Sequence, residues 1–341
     1  MSLSAEDAPP TVALDAMGGD HAPAEVVGGA LAYRRAGGRA RILLVGQEPA
    51  IRAVLGEGVP GIEIVAAPDV VAMDEHPAAA LRRRAGTSIG VATELVRERR
   101  ADAVVSAGNS GATMASAVLT LGRIAAIDRP ALCQLMPTQS GRPICLLDLG
   151  ATVDTDARNL LQFALMGSLF MERVQRVANP TVGLLNVGEE AGKGSRVLQE
   201  ADALLRASGL NYVGNVEGFD IPRGSVNVVV CDGHVGNAVI KAMEGVVDYL
   251  RAAIRSDLFG GPAGKLALLF ALPGIAKLRR RLDYDVYGGA PLLGVSGVSV
   301  VTHGRARARM IRFALEIAEG MVRARLVDAI REGLEVRASS A

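Results

Sequence analysis

The sequence contains no Trp, and only 3% of its 341 residues are aromatic. It also lacks an apolar run of the ~18 residues that a membrane-spanning helix requires, since the longest candidate, residues 266–276, is shorter. A formal net charge of +1 gives no global attraction to nucleic acid. The first residues do not follow the pattern of a secretory signal. Together these absences predict a cytoplasmic globular protein without a nucleic-acid partner.

Cysteine is scarce as well. The three residues Cys133, Cys145 and Cys231 lie in apolar stretches, and no C-x-x-C motif occurs. An odd number of cysteines in such stretches predicts small buried side chains in a reducing compartment. A catalytic thiol is the alternative.

Several motifs that carry known chemistry are missing. There is no G-x-G-x-x-G at the first helix, no G-x-S-x-G and no H-E-x-x-H. Residues 188–195 differ from a P-loop because three residues rather than four separate the two glycines, and Gly194 follows the lysine. Asp148 and Asp154 flank a glycine turn, where a loop or helix cap is favoured over a metal pair. No cofactor and no metal are therefore expected.

Half of the residues are hydrophobic, and short Val/Ile/Leu runs alternate with Ala-rich helical stretches. Unbroken apolar runs are typical of strands covered on both faces. The predicted fold is α/β: a three-layer α/β/α sandwich with a mostly parallel sheet. A disordered leader (1–10) would precede a single catalytic domain (11–334). The predicted strands are 11–17, 41–46, 61–67, 101–108, 131–138, 143–150, 181–188, 226–233 and 295–304, and the predicted helices include 24–36, 88–100, 158–176, 195–207 and 305–330.

Residues 245–287 interrupt this alternation and predict a protruding helical hairpin. A helical stretch is followed by a GGPAG turn (260–264) and then by large aliphatic residues ending in the basic segment 277–281. One interpretation is packing against the sheet or a dimer partner. The other is an interfacial tip, because apolar side chains beside basic ones bind anionic lipid surfaces.

Glycine-rich polar clusters follow four predicted strands, at residues 15–21, 106–111, 186–195 and 231–237. Ligands bind at the carboxyl ends of parallel strands, and free helix N-terminal N–H groups bind anions. One such cluster is an ordinary helix start, but four predict a phosphate site. The candidate binding residues are Asp15, Gly18, Gly19, Asp20, Asn109, Ser110, Gly111, Asn186, Glu189, Gly192, Gly194 and His303, and the candidate catalytic residues are Lys193, Asp232, His234 and Asn237.

These clusters also carry a resemblance to a known family. Seven motifs, in order and spacing, resemble those of bacterial phosphate acyltransferases of phospholipid synthesis: DAMGGDHAP, VSAGNSGATMA, LLDLGATVD, LLQFALMGS, LLNVGEEAGKG, VVCDGHVGN and YGGAPLLG, within residues 11–325. The resemblance implies a fold similar to phosphotransacetylases and, more remotely, isopropylmalate dehydrogenases. It implies transfer of a long acyl chain from acyl carrier protein to inorganic phosphate. It further implies a homodimer, peripheral membrane association and delivery of acyl phosphate to a membrane glycerol-3-phosphate acyltransferase.

The chain departs from the family pattern at one point. Where the family typically has a small polar turn of the type HGSS, this sequence has Arg305, Arg307 and Arg309 after His303. Hydroxyl groups are therefore missing from this turn. Arg305 would replace them as a cationic donor, or the arginines would face an acidic carrier protein.

Phosphate is itself a nucleophile, so direct attack on the thioester is expected without a covalent enzyme intermediate. Lys193 and the N–H groups around Gly192 and Gly194 are predicted to hold phosphate. His234 would accept a proton from monobasic phosphate or donate one to the leaving thiolate. Asp232 would orient Lys193 or His234.

Asn109, Asn237 and neighbouring amides are predicted to stabilise the oxyanion. Three other functions stay open: an acetyl-CoA-dependent phosphotransacetylase, a phosphate-dependent dehydrogenase, and a non-catalytic acyl- or nucleotide-binding regulator. The dehydrogenase lacks its nicotinamide and metal signatures here, and the regulator would not need Lys193 and His234.

Overall fold

The chain forms two β-sheets, and their edges meet. The computed structural model describes residues 8–76, 82, 84–258, 271–275 and 284–338. Its strands are β1 Thr11–Asp15, β2 Arg41–Gly46, β3 Ile62–Ala66, β4 Ala103–Ser106, β5 Ala131–Leu132, β6 Gln134–Met136, β7 Ile144–Leu147, β8 Val182–Leu185, β9 Tyr212–Val216, β10 Val228–Val230, β11 Ala290–Leu293 and β12 Val298–Val301.

The large sheet has the strand order β3-β2-β1-β4-β12-β11-β5, and the small sheet has the order β6-β7-β10-β8-β9. Pairing is parallel except for β11 with β12 and β5 in the large sheet, and β6 with β7 in the small one. The predicted mostly parallel α/β architecture is confirmed, with its strands divided between two sheets. The helices are α1 Ala24–Arg35, α2 Glu48–Leu55, α3 Ser88–Arg97, α4 Ser110–Leu121, α5 Ala157–Arg173, α6 Arg196–Ala207, α7 Asp220–Arg223, α8 Gly233–Ala253, α9 Ala308–Arg323 and α10 Leu326–Ala338.

The chain passes between the sheets at Cys133. The stretch 131–138, predicted as one strand, divides there into β5 and β6. Leu132 pairs with Leu292 of the large sheet, whereas Leu135 pairs with Cys145 of the small sheet. This crossover brings the edges of the two sheets side by side.

Apolar burial explains which runs became strands. Every residue of β4, β7, β8, β10 and β12 is buried, as the unbroken Val/Leu runs predicted. Strand β9 was missed because glycine and asparagine interrupt the apolar run of its YVGNV sequence, and Val213 is exposed. One hydrophobic cluster extends through both sheets, and Tyr33, Phe163 and Phe170 are its largest fully buried side chains.

Two helical stretches differ most from their predicted bounds. The stretch 305–330 is two helices, because α9 ends at Arg323 and Arg325 adopts a φ of +48° before α10. Helix α8 begins at Gly233, so residues 245–253 are its C-terminal part and not the start of a separate hairpin helix. Asp232 fixes that start by capping the helix.

Beyond α8, a wide turn covers Ile254–Leu258 and one helical turn covers 271–275. The predicted GGPAG tip and the basic segment 277–281 lie outside the described residues. Four large apolar side chains of the described residues 246–272 are exposed, namely Val246, Tyr249, Leu250 and Leu272. No helix in the described part of the chain has the length and apolarity to cross a membrane.

Helices α1 and α9 pack closely, and Glu25 of α1 caps the start of α9. The Ala308 N–H donates to Glu25 Oε2 at 2.7 Å, and Arg307 Nη1 lies 3.1 Å from Oε1. The Ala308 N–H, together with the Arg307 guanidinium, holds the pKa of Glu25 below its usual value. A carboxylate at a helix N-terminus is stabilising, so this contact links the pH to the free energy of unfolding.

Glu25→Gln is expected to lower the free energy of unfolding near neutral pH by about 1 kcal/mol. A lowered folded-state pKa contributes stability above the unfolded pKa of about 4.3, and the contribution is lost as the pH falls through the folded value. The difference between variant and wild type should therefore shrink below about pH 4. Urea unfolding across this range measures it. Glu200→Gln, which removes an exposed partner of Arg196, is the control, and its free energy of unfolding should stay close to that of the wild type. An effect of Glu25→Gln that does not change with pH would contradict the assignment.

Candidate active site

Two of the four strand-end clusters meet in the large sheet, where β1 and β4 are adjacent and parallel. The Ser106 hydroxyl donates to Asp15 Oδ2 at 2.7 Å, and the Gly108 N–H donates to Ser106 Oγ at 3.0 Å. Burial raises the pKa of Asp15, and hydrogen bonds from the Ser106 hydroxyl and the Met17 N–H oppose the rise. The buried Asp15 carboxylate therefore links the loop after β1 to the loop after β4.

The glycines in these loops permit close backbone contact. A Cβ on Gly18 would lie 2.6 Å from both Asp15 Oδ2 and the Gly108 nitrogen. Gly19 has a φ of +104°, which favours glycine. The Asp20 N–H donates to the Gly304 carbonyl at 2.8 Å. The loops after β1, β4 and β12 are thus packed against one another.

Both the oxygen and the nitrogen of the Asn109 side-chain amide are hydrogen-bonded to backbone groups. Its Oδ1 accepts the Ala112 N–H at 3.0 Å and caps α4, while Nδ2 donates to the carbonyls of Met73 and Glu75 at 3.0 and 2.9 Å. The side chain holds the 72–75 loop to the helix. Its predicted role as an oxyanion donor would require these bonds to be exchanged, and that role stays a prediction.

Asp148 organises the corresponding loop of the small sheet. It is fully buried. Its Oδ1 accepts the N–H groups of Leu132, Leu149 and Ala151, and Oδ2 accepts that of Thr152 at 2.6 Å. Burial raises the pKa of Asp148, and these N–H groups limit the rise. For Asp148, the interpretation as a loop residue is confirmed. Within the described residues, no group of three His, Cys, Asp or Glu side chains is arranged to hold a metal ion.

The start of α8 rests on this loop. A Cβ on Gly236 would lie 1.9 Å from the Asp148 carbonyl oxygen, and one on Gly233 would lie 2.5 Å from the Thr152 carbonyl oxygen. Asp232 Oδ1 accepts the Val235 N–H at 2.9 Å, so this carboxylate caps α8. Asn237 follows one turn later.

The cluster 186–195 forms a separate exposed loop after β8. Asn186 shapes it: Nδ2 donates to the Lys193 carbonyl at 3.1 Å, and Oδ1 accepts the Val187 N–H at 2.8 Å. Gly194, with a φ of +84°, lies so close that a Cβ would be 2.4 Å from Asn186 Oδ1. Glu189 and Lys193 are exposed, and no ion pair with another described residue holds the Lys193 ammonium.

A cleft of about 370 Å³ lies where the edges of the two sheets meet. It combines an apolar floor with a polar rim. The floor contains Met114, Leu132, Leu149, Ile240 and Met310, and the rim contains Ser110, Asn237, Lys241, Glu244 and His303. Small-molecule sites commonly have this size and this mixture of surfaces.

The cleft brings together three of the predicted residues, Ser110, Asn237 and His303. Lys193 and His234 are not in its lining; both are exposed, on the loop after β8 and the first turn of α8. The apolar floor was missed from sequence. A signal for part of it existed, because Asn237, Ile240, Lys241 and Glu244 recur at helical spacing and line one face of α8.

The arginines after His303 have different partners. Arg307 pairs with Glu25, and Arg309 stacks on Phe313 with its guanidinium carbon 5.7 Å from the ring centre. Arg305 is exposed, and its backbone N–H donates to His303 Nδ1 at 3.3 Å. Arg307 is thus used within the fold, whereas the two interpretations of Arg305 stay predictions.

The three cysteines are buried and free, as expected. Cys133 Sγ lies 2.8 Å from Cys145 Sγ, and burial raises the pKa of the Cys133 and Cys231 thiols well above its usual value. Such thiols are poor nucleophiles because the thiolate is the reactive form.

Replacing all three cysteines by alanine should therefore preserve turnover. The variant should lose on the order of 1 kcal/mol of stability for each buried sulfur, because small cavities form. Steady-state kinetics and urea unfolding measure the two effects. Trapping an acyl thioester on any of the three in the wild type would establish a two-step route and contradict direct attack.

Comparisons with known proteins give the family of this chain. The family model described as "Fatty acid synthesis protein" matches residues 11–328. A protein from Heliobacterium modesticaldum named phosphate acyltransferase is 49% identical over 325 residues, which cover 94% of this chain and 96% of that one. Another of that name, from Pelotomaculum thermopropionicum, is 45% identical over 95% of both chains.

Solved structures share the fold at low sequence identity. A phosphotransacetylase from Streptococcus pyogenes aligns with a TM-score of 0.59 at 16% identity, covering 92% of this chain and 94% of that one. A branched-chain phosphotransacylase from Enterococcus faecalis gives 0.59 at 13% identity, with 92% and 99% covered. The family match and the relatives together establish that this chain belongs to the phosphate acyltransferase family of acyl-transferring enzymes.

Proposed function

We propose that the enzyme transfers a long acyl group from an acyl carrier protein thioester to inorganic phosphate, the first step toward phosphatidic acid. A phosphate oxygen attacks the thioester carbonyl carbon, the carbon–sulfur bond breaks, and acyl phosphate and the carrier thiol are released. The cleft is the observation that carries this proposal. It joins an apolar surface suited to an acyl chain to polar groups on the first turn of α4 and the second turn of α8, which suit the developing oxyanion.

Phosphate is assigned to the exposed loop after β8. The Lys193 ammonium and the N–H groups of the glycine-rich turn supply positive charge, and exposure lets phosphate arrive from solvent. His234, on the first turn of α8, accepts a proton from monobasic phosphate or protonates the leaving thiolate. Asp232 supports this arrangement indirectly, because it caps the helix that carries His234.

The oxyanion is assigned to the cleft rim. Asn237 and the N–H groups that begin α4 at Ser110 and Gly111 are the donors. Holding phosphate and thioester in attacking geometry supplies much of the acceleration, up to roughly 7–11 kcal/mol in favourable cases.

The test is an assay of acyl phosphate formation with carrier protein thioesters from acetyl to stearoyl, alongside acetyl-CoA. Efficient turnover of long acyl carrier protein thioesters is the expected result. Turnover of acetyl-CoA alone would establish a phosphotransacetylase and overturn the proposal. Binding of acyl groups without turnover would indicate a regulator.

The exposed apolar side chains of α8 support two further assignments. A second copy of the chain would cover Val246, Tyr249 and Leu250 in a homodimer. The hairpin tip would contact anionic lipid and deliver acyl phosphate to a membrane glycerol-3-phosphate acyltransferase. Sedimentation of the wild type at several concentrations tests the dimer.

Leu268→Glu combined with Leu269→Glu is expected to abolish co-sedimentation with anionic liposomes. Each basic residue at such a surface contributes about 1 kcal/mol, and two glutamates remove apolar contact while repelling the lipid. Activity on soluble carrier protein substrate should be spared. Aggregation of the double variant, together with wild type that ignores the liposomes, would identify the hairpin as a packing element.

A further inference from the structure

Two helices each place a polar residue on the cleft rim and an apolar residue on its floor. On α4, Ser110 lines the rim and Met114 lines the floor four residues later. On α8, Asn237 lines the rim and Ile240 lines the floor three residues later. Residues at these spacings lie on one helix face, about one turn or 5 Å apart. The N-terminal end of α4, where N–H groups are free, lies at the polar end of the cleft. On α8 the N–H groups of Gly233 and Val235 are already bonded, and the polar residues Lys241 and Glu244 follow Ile240 along the same face.

This arrangement fixes the direction in which an amphipathic substrate fits. A thioester carbonyl is an acceptor that carries negative charge in the transition state, so it belongs beside the N–H groups at Ser110 and the Asn237 amide. An alkyl chain attached to it then extends one turn further, onto the methionine and isoleucine side chains. The reverse direction would bury the carbonyl among apolar groups, which is costly without a hydrogen bond.

The volume of the cleft limits how much of the chain it holds. An apolar cavity of about 150 Å³ accommodates one benzene molecule. The 370 Å³ cleft therefore holds on the order of a dozen carbon atoms, and longer chains extend beyond it.

Met114 is the floor residue whose size can change with least effect on the core. It is only half-buried, whereas Leu149, Ile240 and Met310 are buried and pack in the core. Leu132 is half-buried as well, but it belongs to strand β5 and pairs with Leu292. Methionine side chains are flexible and adapt to irregular apolar ligands.

We infer that the cleft binds the acyl chain with its carbonyl at Ser110 and Asn237 and its methylene groups against Met114, and that Met114 sets the chain-length preference. The inference rests on the proposed function. It adds a site for the chain, a direction, and a capacity near a dozen carbons.

Alkyl phosphates of increasing length test the inference by calorimetric binding, without turnover. The dissociation constant of the wild type should fall about threefold to fourfold per methylene and level off near a dozen carbons. Met114→Phe should narrow the cleft and weaken decyl and tetradecyl phosphate binding at least about tenfold, while changing butyl phosphate binding less than about twofold. Leu119→Phe, an exposed position on the same helix, is the matched control and should leave the series unchanged.

A second measurement uses activity. In Met114→Phe, kcat/KM should drop for long acyl carrier protein thioesters and be retained for butyryl thioester. A uniform loss at every length, or an unchanged profile in Met114→Phe, would overturn the inference. Wild type that makes no acyl phosphate at all would overturn the proposed function instead, while the alkyl phosphate series would still decide the site.

Discussion

Lys193→Ala should reduce the rate of acyl phosphate formation at subsaturating phosphate by at least about thirtyfold. Loss of one preorganised electrostatic group costs transition-state stabilisation of about 2 kcal/mol or more. The fold should be unaffected because the side chain is exposed and lies in a glycine-rich turn rather than in a core strand. Initial rates over a range of phosphate concentrations, with thermal unfolding as the check on folding, measure both effects.

Arg196→Ala provides the control for this experiment. Arg196 is an exposed cation three residues further along, and it pairs with Glu200 on the same helix. Its loss changes the local charge equally but should leave the rate near wild type. Equal rates for Lys193→Ala and wild type at low phosphate would remove Lys193 from the mechanism.

Gly236→Ala should destabilise the protein by about 3 kcal/mol and strongly impair turnover. The new methyl group would lie 1.9 Å from the Asp148 carbonyl oxygen and 2.9 Å from Cys231 Sγ, so α8 must move away from the 148–152 loop. Asn237 moves with the helix, which widens the cleft rim. Urea unfolding and kcat/KM measure the stability and the site separately.

The same helix supplies a matched control. A Cβ on Gly245 would meet no other atom within 4 Å. Gly245→Ala should therefore stabilise the helix by about 0.5 to 1 kcal/mol and leave kcat unchanged. If both alanine variants behaved alike, the close contact between α8 and the Asp148 loop would not be the cause of the Gly236 effect.

Local pattern was sufficient to predict most of the sheets and the sites of the polar clusters. Strands such as β7 and β10 are unbroken apolar runs, and the glycine-rich clusters follow their carboxyl ends because that is where helices begin. The division at Cys133 was not predictable in this way. Leu132 and Leu135 are equally apolar, but Leu132 pairs with Leu292 of the large sheet and Leu135 pairs with Cys145 of the small sheet.

The cleft escaped prediction for a related reason. Its floor is built from residues far apart in sequence, such as Met114, Ile240 and Met310. Long-range contacts of this kind produce no periodic pattern in the sequence. Lys193 and His234 were predicted because they are charged or titratable residues in glycine-rich turns. Met114 and Ile240 of the floor look like ordinary core residues in the sequence.

The crossover at Cys133 also limits the distance between two walls of the cleft. Leu132 and Gln134 both line the cleft, yet each is hydrogen-bonded into a different sheet. Two Cα–Cα steps separate them, so they stand at most about 7 Å apart. The spacing of the walls is thus set by a connector and not by the internal geometry of either sheet. Lengthening that connector by one residue is expected to widen the cleft while the hydrogen bonds of β5 with β11 and of β6 with β7 stay in register.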